Sequence, residues 1–120
     1  MSTDAVYHCG EGNYDELDPT IPICNYGWSK LAAECSVRLL NNYLIIRTRF
    51  FNPNDIPFLD AASDIFTSSI PISKLVSYIY KLMSAKYVGV LNIGGKSESD
   101  YDKYKIHKSD ILQTDMISIR

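Results

Sequence analysis

Two segments that contain a continuous apolar stretch, each typical of a buried strand, constrain the fold of this chain most. They are YLIIRTRFF (43–51) and VGVLNIGG (88–95). An apolar run without alternation suits a parallel strand whose sheet is covered on both faces. Two such strands with a helical segment between them predict an α/β fold with parallel strands. Because two parallel strands alone make a poor core, the pattern predicts part of a larger sheet.

Two other segments have helical periodicity. The first runs from about residue 23 to residue 42, and its apolar face, which we expect to point inward, holds Leu31, Cys35 and Leu39. The second is KLVSYIYKLMS (74–84), in which Ser73 is the expected N-cap. Its expected inward face holds Leu75, Ile79 and Leu82.

The remaining segments are shorter or less regular. STDAVY (2–7) is predicted as the end of a strand that leads into a turn-rich, acidic loop over 8–22. A loop of that length is a candidate rim or lid of a functional site. The stretch 65–73 is expected to be extended, and 96–120 is polar and weakly patterned, with ISIR (117–120) as a short-strand candidate.

Composition excludes several classes of function. The 120 residues are 46% hydrophobic and 22% charged, as expected for one globular domain. A net charge of −2 without a Lys/Arg cluster argues against a nucleic-acid partner. No apolar run approaches the roughly 20 residues of a membrane span, and no signal peptide is recognised. We therefore expect no membrane partner and a cytoplasmic location.

The three cysteines lack a C-x-x-C pattern, which favours free thiols in a reducing compartment over a disulfide framework. His8 and Cys9 are adjacent, but zinc needs three or four ligands. No metal is predicted.

A tyrosine and a lysine four residues apart, Tyr26 and Lys30 in NYGWSK, form the candidate site. On a helix this spacing places both side chains on one face. A tyrosine alone is a poor acid at neutral pH, and a lysine cation one turn away favours its phenolate form. A hydroxyl from Thr3 or Ser2, at the end of the preceding strand, would hold a substrate oxygen nearby. The set suits proton transfer coupled to hydride transfer at a carbonyl.

The spacing alone is weak evidence, because Tyr101 and Lys105 repeat it and a surface helix pair is the ordinary alternative. The context of the first pair is more specific. It stands near a helix start, after a long loop and after a strand that ends in STD.

An ordered set of motifs over residues 2–95 is more specific still. STDAVY, G-x-G, E-x-D-P-T-x-P, NYGWSKLAAE and LIIRTRFFNP are followed by IPISKLVSYIYKLM and VLNIGG. Together they resemble the extended short-chain dehydrogenase/reductase superfamily. Within it, the chain is most similar to the dTDP-4-dehydrorhamnose reductase group and its sugar-nucleotide epimerase and dehydratase relatives.

The resemblance implies a partial Rossmann-like fold, the C-terminal part of a parallel doubly wound sheet with a small substrate-binding portion. Residues 1–120 would form a single partial domain, in which 1–51 are the catalytic part and 52–120 the substrate-binding and last-strand region. NAD(P) is the implied cofactor, and a nucleotide-linked 4-keto sugar is the implied substrate.

The resemblance also implies roles by position. Thr3 would bind the sugar 4-oxygen, and Tyr26 would protonate the carbonyl oxygen as the general acid. Lys30 would favour the phenolate and hydrogen-bond the nicotinamide ribose, so Tyr26 and Lys30 are also the cofactor-binding candidates. Asn52, in FFNP, would contact the nucleotide-sugar phosphates, with a turn before proline as an equal alternative.

One family feature is missing from the sequence. No strand followed by G-x-x-G-x-x-G and a helix is present to bind a cofactor diphosphate. The chain therefore resembles a truncated reductase that would need an N-terminal cofactor-binding chain, or a homo-oligomer, and would turn over little alone. The alternative is a non-catalytic regulatory or interaction subunit, or a decayed remnant of a reductase-like fold.

Overall fold

The computed structural model describes residues 1–8, 12–63 and 65–114. In chain order, the elements are a 3₁₀ turn (Asp4–Val6), α1 (Asn25–Val37), β1 (Leu44–Thr48), β2 (Phe50–Phe51), β3 (Asp60–Ala62), β4 (Phe66–Thr67), β5 (Ile70–Pro71), α2 (Ile72–Ala85), β6 (Gly89–Ile93), β7 (Glu98–Ser99), α3 (Asp100–Tyr104) and β8 (Leu112–Thr114). They group into two compact units, Met1–Arg49 with Tyr78–Ile93 and Phe50–Ser77 with Gly94–Arg120.

The first unit is built on a parallel pair of strands. β1 pairs with β6 from Leu44 opposite Gly89 to Thr48 opposite Ile93. β1 is buried from Ile45 onward, whereas β6 is half-buried throughout. In the described part of the chain each of these strands pairs only with the other. The predicted α/β class with parallel strands is confirmed, and the architecture is that of a partial Rossmann-like fold.

The beginning of the chain differs from the prediction. Residues Asp4–Val6 form a 3₁₀ turn rather than the end of a strand, because the Thr3 hydroxyl caps the turn by accepting from the Ala5 amide at 3.2 Å. Ser2 lies beside β1, where its amide donates to the Ile46 carbonyl at 2.7 Å.

Helix α1 is shorter than predicted, and its predicted inward face is wrong at Cys35 and Leu39, although Leu31 is half-buried. Cys35 is exposed, and Leu39 lies beyond the helix end with 86% of its surface exposed. The buried residues are Gly27 and Glu34. Close backbone packing at Gly27 and an ion pair at Glu34 turn this face inward, against the apolar periodicity.

Helix α2 begins two residues earlier than predicted, so Ser73 lies inside it and is not its N-cap. Its predicted inward face is confirmed, since Leu75 is buried and Ile79 and Leu82 are half-buried. The division between the two units falls within α2, after Ser77. None of the helices in the described residues is both long and apolar enough to span a bilayer.

The second unit contains three short strand pairs. β2–β5 and β3–β8 are parallel, and β4–β7 is antiparallel. The predicted extended stretch 65–73 contains β4 and β5 but ends in the first residues of α2. Three elements in the weakly patterned region, β7, α3 and β8, were not predicted, and ISIR lies outside the described residues.

Candidate active site

Tyr26 and Lys30 occupy the first turns of α1, one helical turn apart. Cys24 caps this helix, with its Sγ accepting from the Gly27 amide at 3.4 Å. The Tyr26 side chain is 59% exposed, and Lys30 is half-buried. Among the described residues, no hydrogen bond or ion pair engages the Tyr26 phenol or the Lys30 ammonium. Both polar ends are therefore open to a ligand on one face of the helix.

The turn capped by Thr3 packs against the helix at the residue after Tyr26. A Cβ placed on Gly27 would overlap the Ala5 carbonyl oxygen and lie 2.9 Å from the Pro22 Cβ. Glycine at this position thus lets the Thr3-capped turn and the Tyr26 turn approach each other. This contact brings together the segments that carry Thr3, Tyr26 and Lys30.

The Thr3 hydroxyl is engaged locally. Thr3 is buried, and besides accepting from Ala5 it donates to Asp4 Oδ1 at 3.4 Å. The other hydroxyl candidate, Ser2, donates to Glu34 Oε2 at 2.5 Å and is committed to the helix. Thr3 is the better candidate, because a bond of 3.4 Å is easily exchanged for a substrate oxygen.

Asn52 lies in the second unit and forms a turn. Its Oδ1 accepts from the Asn54 amide at 3.1 Å, and its carbonyl accepts from the Asp55 amide at 3.1 Å. These bonds correspond to the turn alternative. Contact of Asn52 with phosphate stays a prediction.

A buried ion pair behind the candidate site was not predicted. Arg47 of β1 holds Glu34 of α1 through Nη2–Oε1 at 2.7 Å and Nε–Oε2 at 3.1 Å. The two side chains are 3% and 2% exposed. The sequence does contain a signal for this pair, because an arginine inside an apolar strand needs a buried partner. Glu34 was missed because its spacing from Lys30 is that of an ordinary surface pair.

The pair extends into a hydrogen-bonded chain. Arg47 Nη1 donates to the Tyr7 hydroxyl at 2.9 Å, and that hydroxyl donates to Asn92 Oδ1 of β6 at 2.8 Å. Asn92 in turn holds the loop before α1, donating through Nδ2 to the Tyr14 carbonyl and through its backbone amide to Glu16. The Tyr7 and Tyr14 rings stack at 5.3 Å. The described part of the predicted loop, 12–22, is therefore attached to the first unit.

These hydrogen bonds set the charge states of Glu34 and Arg47. Burial alone would raise the pKa of Glu34, but hydrogen bonds from Arg47 and Ser2, with the Arg47 charge, outweigh burial and lower it. Burial likewise opposes the charge of Arg47, yet the Glu34 and Tyr7 bonds raise the pKa of the guanidinium. Both groups stay charged at neutral pH.

The second Tyr-x-x-x-Lys pair is closed on itself. Lys105 Nζ lies 2.9 Å from Asp102 Oδ1 and 5.4 Å from the centroid of the Tyr101 ring. The hydrogen bond between them lowers the pKa of Asp102 and raises that of Lys105. This pair offers no open ammonium to a ligand.

The described residues fit the nicotinamide ribose of a cofactor better than they fit its diphosphate. Tyr26 and Lys30 offer an open phenol and an open ammonium for the hydroxyls of a nicotinamide ribose. A diphosphate cradle is not formed by Gly94 and Gly95 after β6, because the Gly95 amide donates to the Ser68 carbonyl at 2.8 Å. In the residues that the structure describes, only the ribose end has candidate ligands.

Comparison with solved structures identifies the fold. The chain is 30% identical to a hypothetical dTDP-4-dehydrorhamnose reductase from Sulfolobus tokodaii, covering 95% of itself and 48% of that chain with a TM-score of 0.77. The Yersinia enterocolitica reductase is 26% identical, with coverages of 99% and 51% and a TM-score of 0.77. The chain resembles the dTDP-4-dehydrorhamnose reductases. It spans about half the length of these reductases, consistent with their C-terminal half.

Two further structures share this fold. The dTDP-4-dehydrorhamnose reductase from Bacillus anthracis, solved in complex with NADP, is 24% identical, with coverages of 97% and 50% and a TM-score of 0.79. An ADP-L-glycero-D-manno-heptose-6-epimerase from Helicobacter pylori is 20% identical, with coverages of 94% and 46% and a TM-score of 0.64. The expected resemblance to reductases and epimerases of the extended short-chain superfamily is confirmed. No protein-family model and no curated protein sequence matches the chain.

Proposed function

We propose that the chain carries the proton-transfer site of a nicotinamide-dependent reductase that acts on a nucleotide-linked 4-keto sugar. The observation that carries the proposal is the open Tyr26–Lys30 face of α1, packed at Gly27 against the turn that Thr3 caps. The solved relatives, named dTDP-4-dehydrorhamnose reductases, support dTDP-4-dehydrorhamnose as the substrate.

In the proposed reaction the Thr3 hydroxyl exchanges its long bond to Asp4 for the sugar 4-oxygen. NADPH or NADH, when bound, supplies the hydride to the 4-carbon. The Tyr26 phenol donates its proton to the carbonyl oxygen, which becomes the product hydroxyl. Lys30 stabilises the resulting phenolate by its charge and hydrogen-bonds the nicotinamide ribose. Solvent then returns the proton to Tyr26.

Asn52 is proposed as a ligand of the nucleotide-sugar phosphates on the resemblance alone. The same resemblance supports the division of a single partial domain into a catalytic part, 1–51, and a substrate-binding and last-strand part, 52–120. A cytoplasmic location is also proposed, and the free thiols of Cys24 and Cys35 support it.

The cofactor diphosphate would be held elsewhere. We propose that an N-terminal cofactor-binding chain, or another copy in a homo-oligomer, completes the site. Without it the nicotinamide is not held against Tyr26, and little turnover is expected.

Complementation tests this proposal. The chain is mixed with the part of the Bacillus anthracis reductase that it does not match, and NADPH oxidation is followed with dTDP-4-dehydrorhamnose. Turnover should appear only in the mixture, and Tyr26→Phe and Lys30→Met should abolish most of it. Tyr101→Phe and Lys105→Met, with the same spacing, are matched controls that should keep it.

A complex that binds NADPH but gives no turnover would overturn the enzymatic proposal. So would turnover that is insensitive to Tyr26→Phe. The first result would instead support a non-catalytic interaction subunit. Trp28, near the start of α1, and Leu39, just after its end, offer exposed apolar surface for such a role.

A further inference from the structure

Arg47 connects the two segments that carry the candidate site. Its guanidinium uses two nitrogens on Glu34 and a third on the Tyr7 hydroxyl. Its Cζ also lies 5.2 Å from the centroid of the Tyr7 ring. A planar fork of donors can serve a carboxylate and a phenol at once, whereas a lysine ammonium at the same position cannot reproduce this geometry.

Each partner of Arg47 is close in sequence to a candidate site residue. Glu34 follows Lys30 by one helical turn, on the same helix as Tyr26. Tyr7 directly follows the turn that Thr3 caps. Ser2, next to Thr3, donates to Glu34 Oε2, the same oxygen that accepts from Arg47 Nε. The Thr3 segment is therefore tied to the helix at both of its ends.

The burial of this arrangement favours a single geometry. Glu34, Arg47 and Tyr7 are each less than 5% exposed, so no partner can be replaced by solvent without opening the unit. Tyr26, by contrast, is largely exposed. Besides the packing at Gly27, these buried side chains hold the Thr3 turn on the helix that carries Tyr26.

We propose that Arg47 is a positioning residue, which through Glu34 and Tyr7 holds the Thr3 turn against the Tyr26–Lys30 helix. The inference deepens the proposed function and rests on it for its catalytic meaning. The geometric claim, that loss of the Arg47 fork moves Ala5 away from Gly27, stands on the contacts alone.

The test separates position from stability. Isotope-labelled chain is studied by NMR at a temperature where each variant is fully folded, as judged by urea unfolding. The variants are Arg47→Lys, which keeps the charge but loses the fork, and Ser2→Ala, which removes only one bond to Glu34. The matched control is Arg38→Lys at the end of α1, an exposed arginine whose side chain makes no hydrogen bond or ion pair in the part of the chain that the structure describes.

Arg47→Lys should shift the amide resonances of Ala5 and Gly27 by several linewidths and weaken the cross-peaks between these residues. Ser2→Ala should shift the same resonances in the same direction by less, and it keeps the claim testable if Arg47→Lys does not fold. Arg38→Lys should leave them in place. Unchanged Ala5 and Gly27 signals in folded Arg47→Lys, or in Ser2→Ala where Arg47→Lys does not fold, would overturn the proposal.

A second measurement separates this inference from the proposed function. The dissociation constant of dTDP-glucose, used as the probe, should rise about tenfold in Arg47→Lys and stay within error in Arg38→Lys. If the unmodified chain does not bind the probe, the proposed function fails, while the resonance shifts still decide the geometric claim.

Discussion

The Tyr26–Lys30 and Tyr101–Lys105 pairs have the same spacing in two different units of the chain, and their surroundings differ. In the second pair, Asp102 directly follows the tyrosine and captures the lysine at 2.9 Å. In the first pair, Gly27 directly follows the tyrosine. It leaves room for the Ala5 carbonyl and offers no carboxylate to Lys30. The residue that directly follows the tyrosine therefore distinguishes a pair that is open to a ligand from a pair whose lysine is already ion-paired.

The largest difference between the pairs is expected in catalysis. Tyr26→Phe should lower turnover in the complemented reductase by about 10²–10⁴-fold, the usual contribution of a general acid. Tyr101→Phe should change it less than twofold, which initial-rate kinetics with NADPH would measure. Equal losses in both variants would remove the distinction drawn between the pairs.

The buried Arg47–Glu34 ion pair should contribute more to the free energy of unfolding than an exposed ion pair. Arg47→Met leaves the Glu34 carboxylate buried without its partner, which should lower the free energy of unfolding by about 3–5 kcal/mol. Arg49→Met breaks only an exposed pair and should cost at most about 1 kcal/mol. Urea unfolding followed by Trp28 fluorescence measures both, and similar costs would contradict the inferred role of the buried pair.

Gly27 itself tests the close approach of the two segments. Gly27→Ala forces a methyl group into the Ala5 carbonyl and the Pro22 side chain, so we expect a loss of about 1–3 kcal/mol despite better helix propensity. The control is Ala33→Gly at an exposed position of the same helix, where only the propensity cost of about 1 kcal/mol applies. A stabilised Gly27→Ala would show that the contact is looser than the structure places it.

Acid should weaken the first unit through Glu34. Because the folded-state pKa of Glu34 is lowered, its contribution is complete above the ordinary glutamate value of about 4.3 and is lost as pH falls through the folded pKa. The free energy of unfolding should fall in this window, and the fall should be smaller in Glu34→Gln. An identical pH profile for the variant would exclude Glu34 as the source.

The smallest effect is expected at the Tyr101–Lys105 pair, when its Asp102 partner is changed. In Asp102→Asn the pKa of Lys105 should fall toward its ordinary value, because the hydrogen bond that Lys105 donates to the Asp102 carboxylate is what raises it. NMR titration of the lysine side chain measures the shift. Stability should hardly change, since the pair is exposed and screened by solvent.

Local pattern was sufficient for β1, β6 and much of α2. A continuous apolar stretch, or an apolar helix face such as that of Leu75, can be buried in only one way. Local pattern failed for α1, where Glu34 is buried by a partner thirteen residues away in sequence. It also failed for the short elements after Gly95. There Ser99 caps a five-residue helix, and Lys103 is buried on the Thr67 carbonyl at 2.8 Å, which are contacts no periodicity encodes.

For the site, the sequence predicted which residues share a helix face, and the structure adds what holds them. The Thr3-capped turn packs on α1 at Gly27, and Arg47 bonds both Glu34 of that helix and Tyr7 after the turn. Both involve groups distant in sequence. The proposed roles of Thr3, Tyr26, Lys30 and Asn52 remain predictions from the motif resemblance.

The proposed function requires that ligand binds at the Tyr26–Lys30 face and not at the equally spaced second pair. The decisive experiment is an NMR titration of the isotope-labelled chain with dTDP-glucose. We expect concentration-dependent shifts at Thr3, Tyr26 and Lys30, with Tyr101 and Lys105 unmoved. Shifts at Tyr101 and Lys105 alone, or none anywhere at millimolar probe, would contradict it.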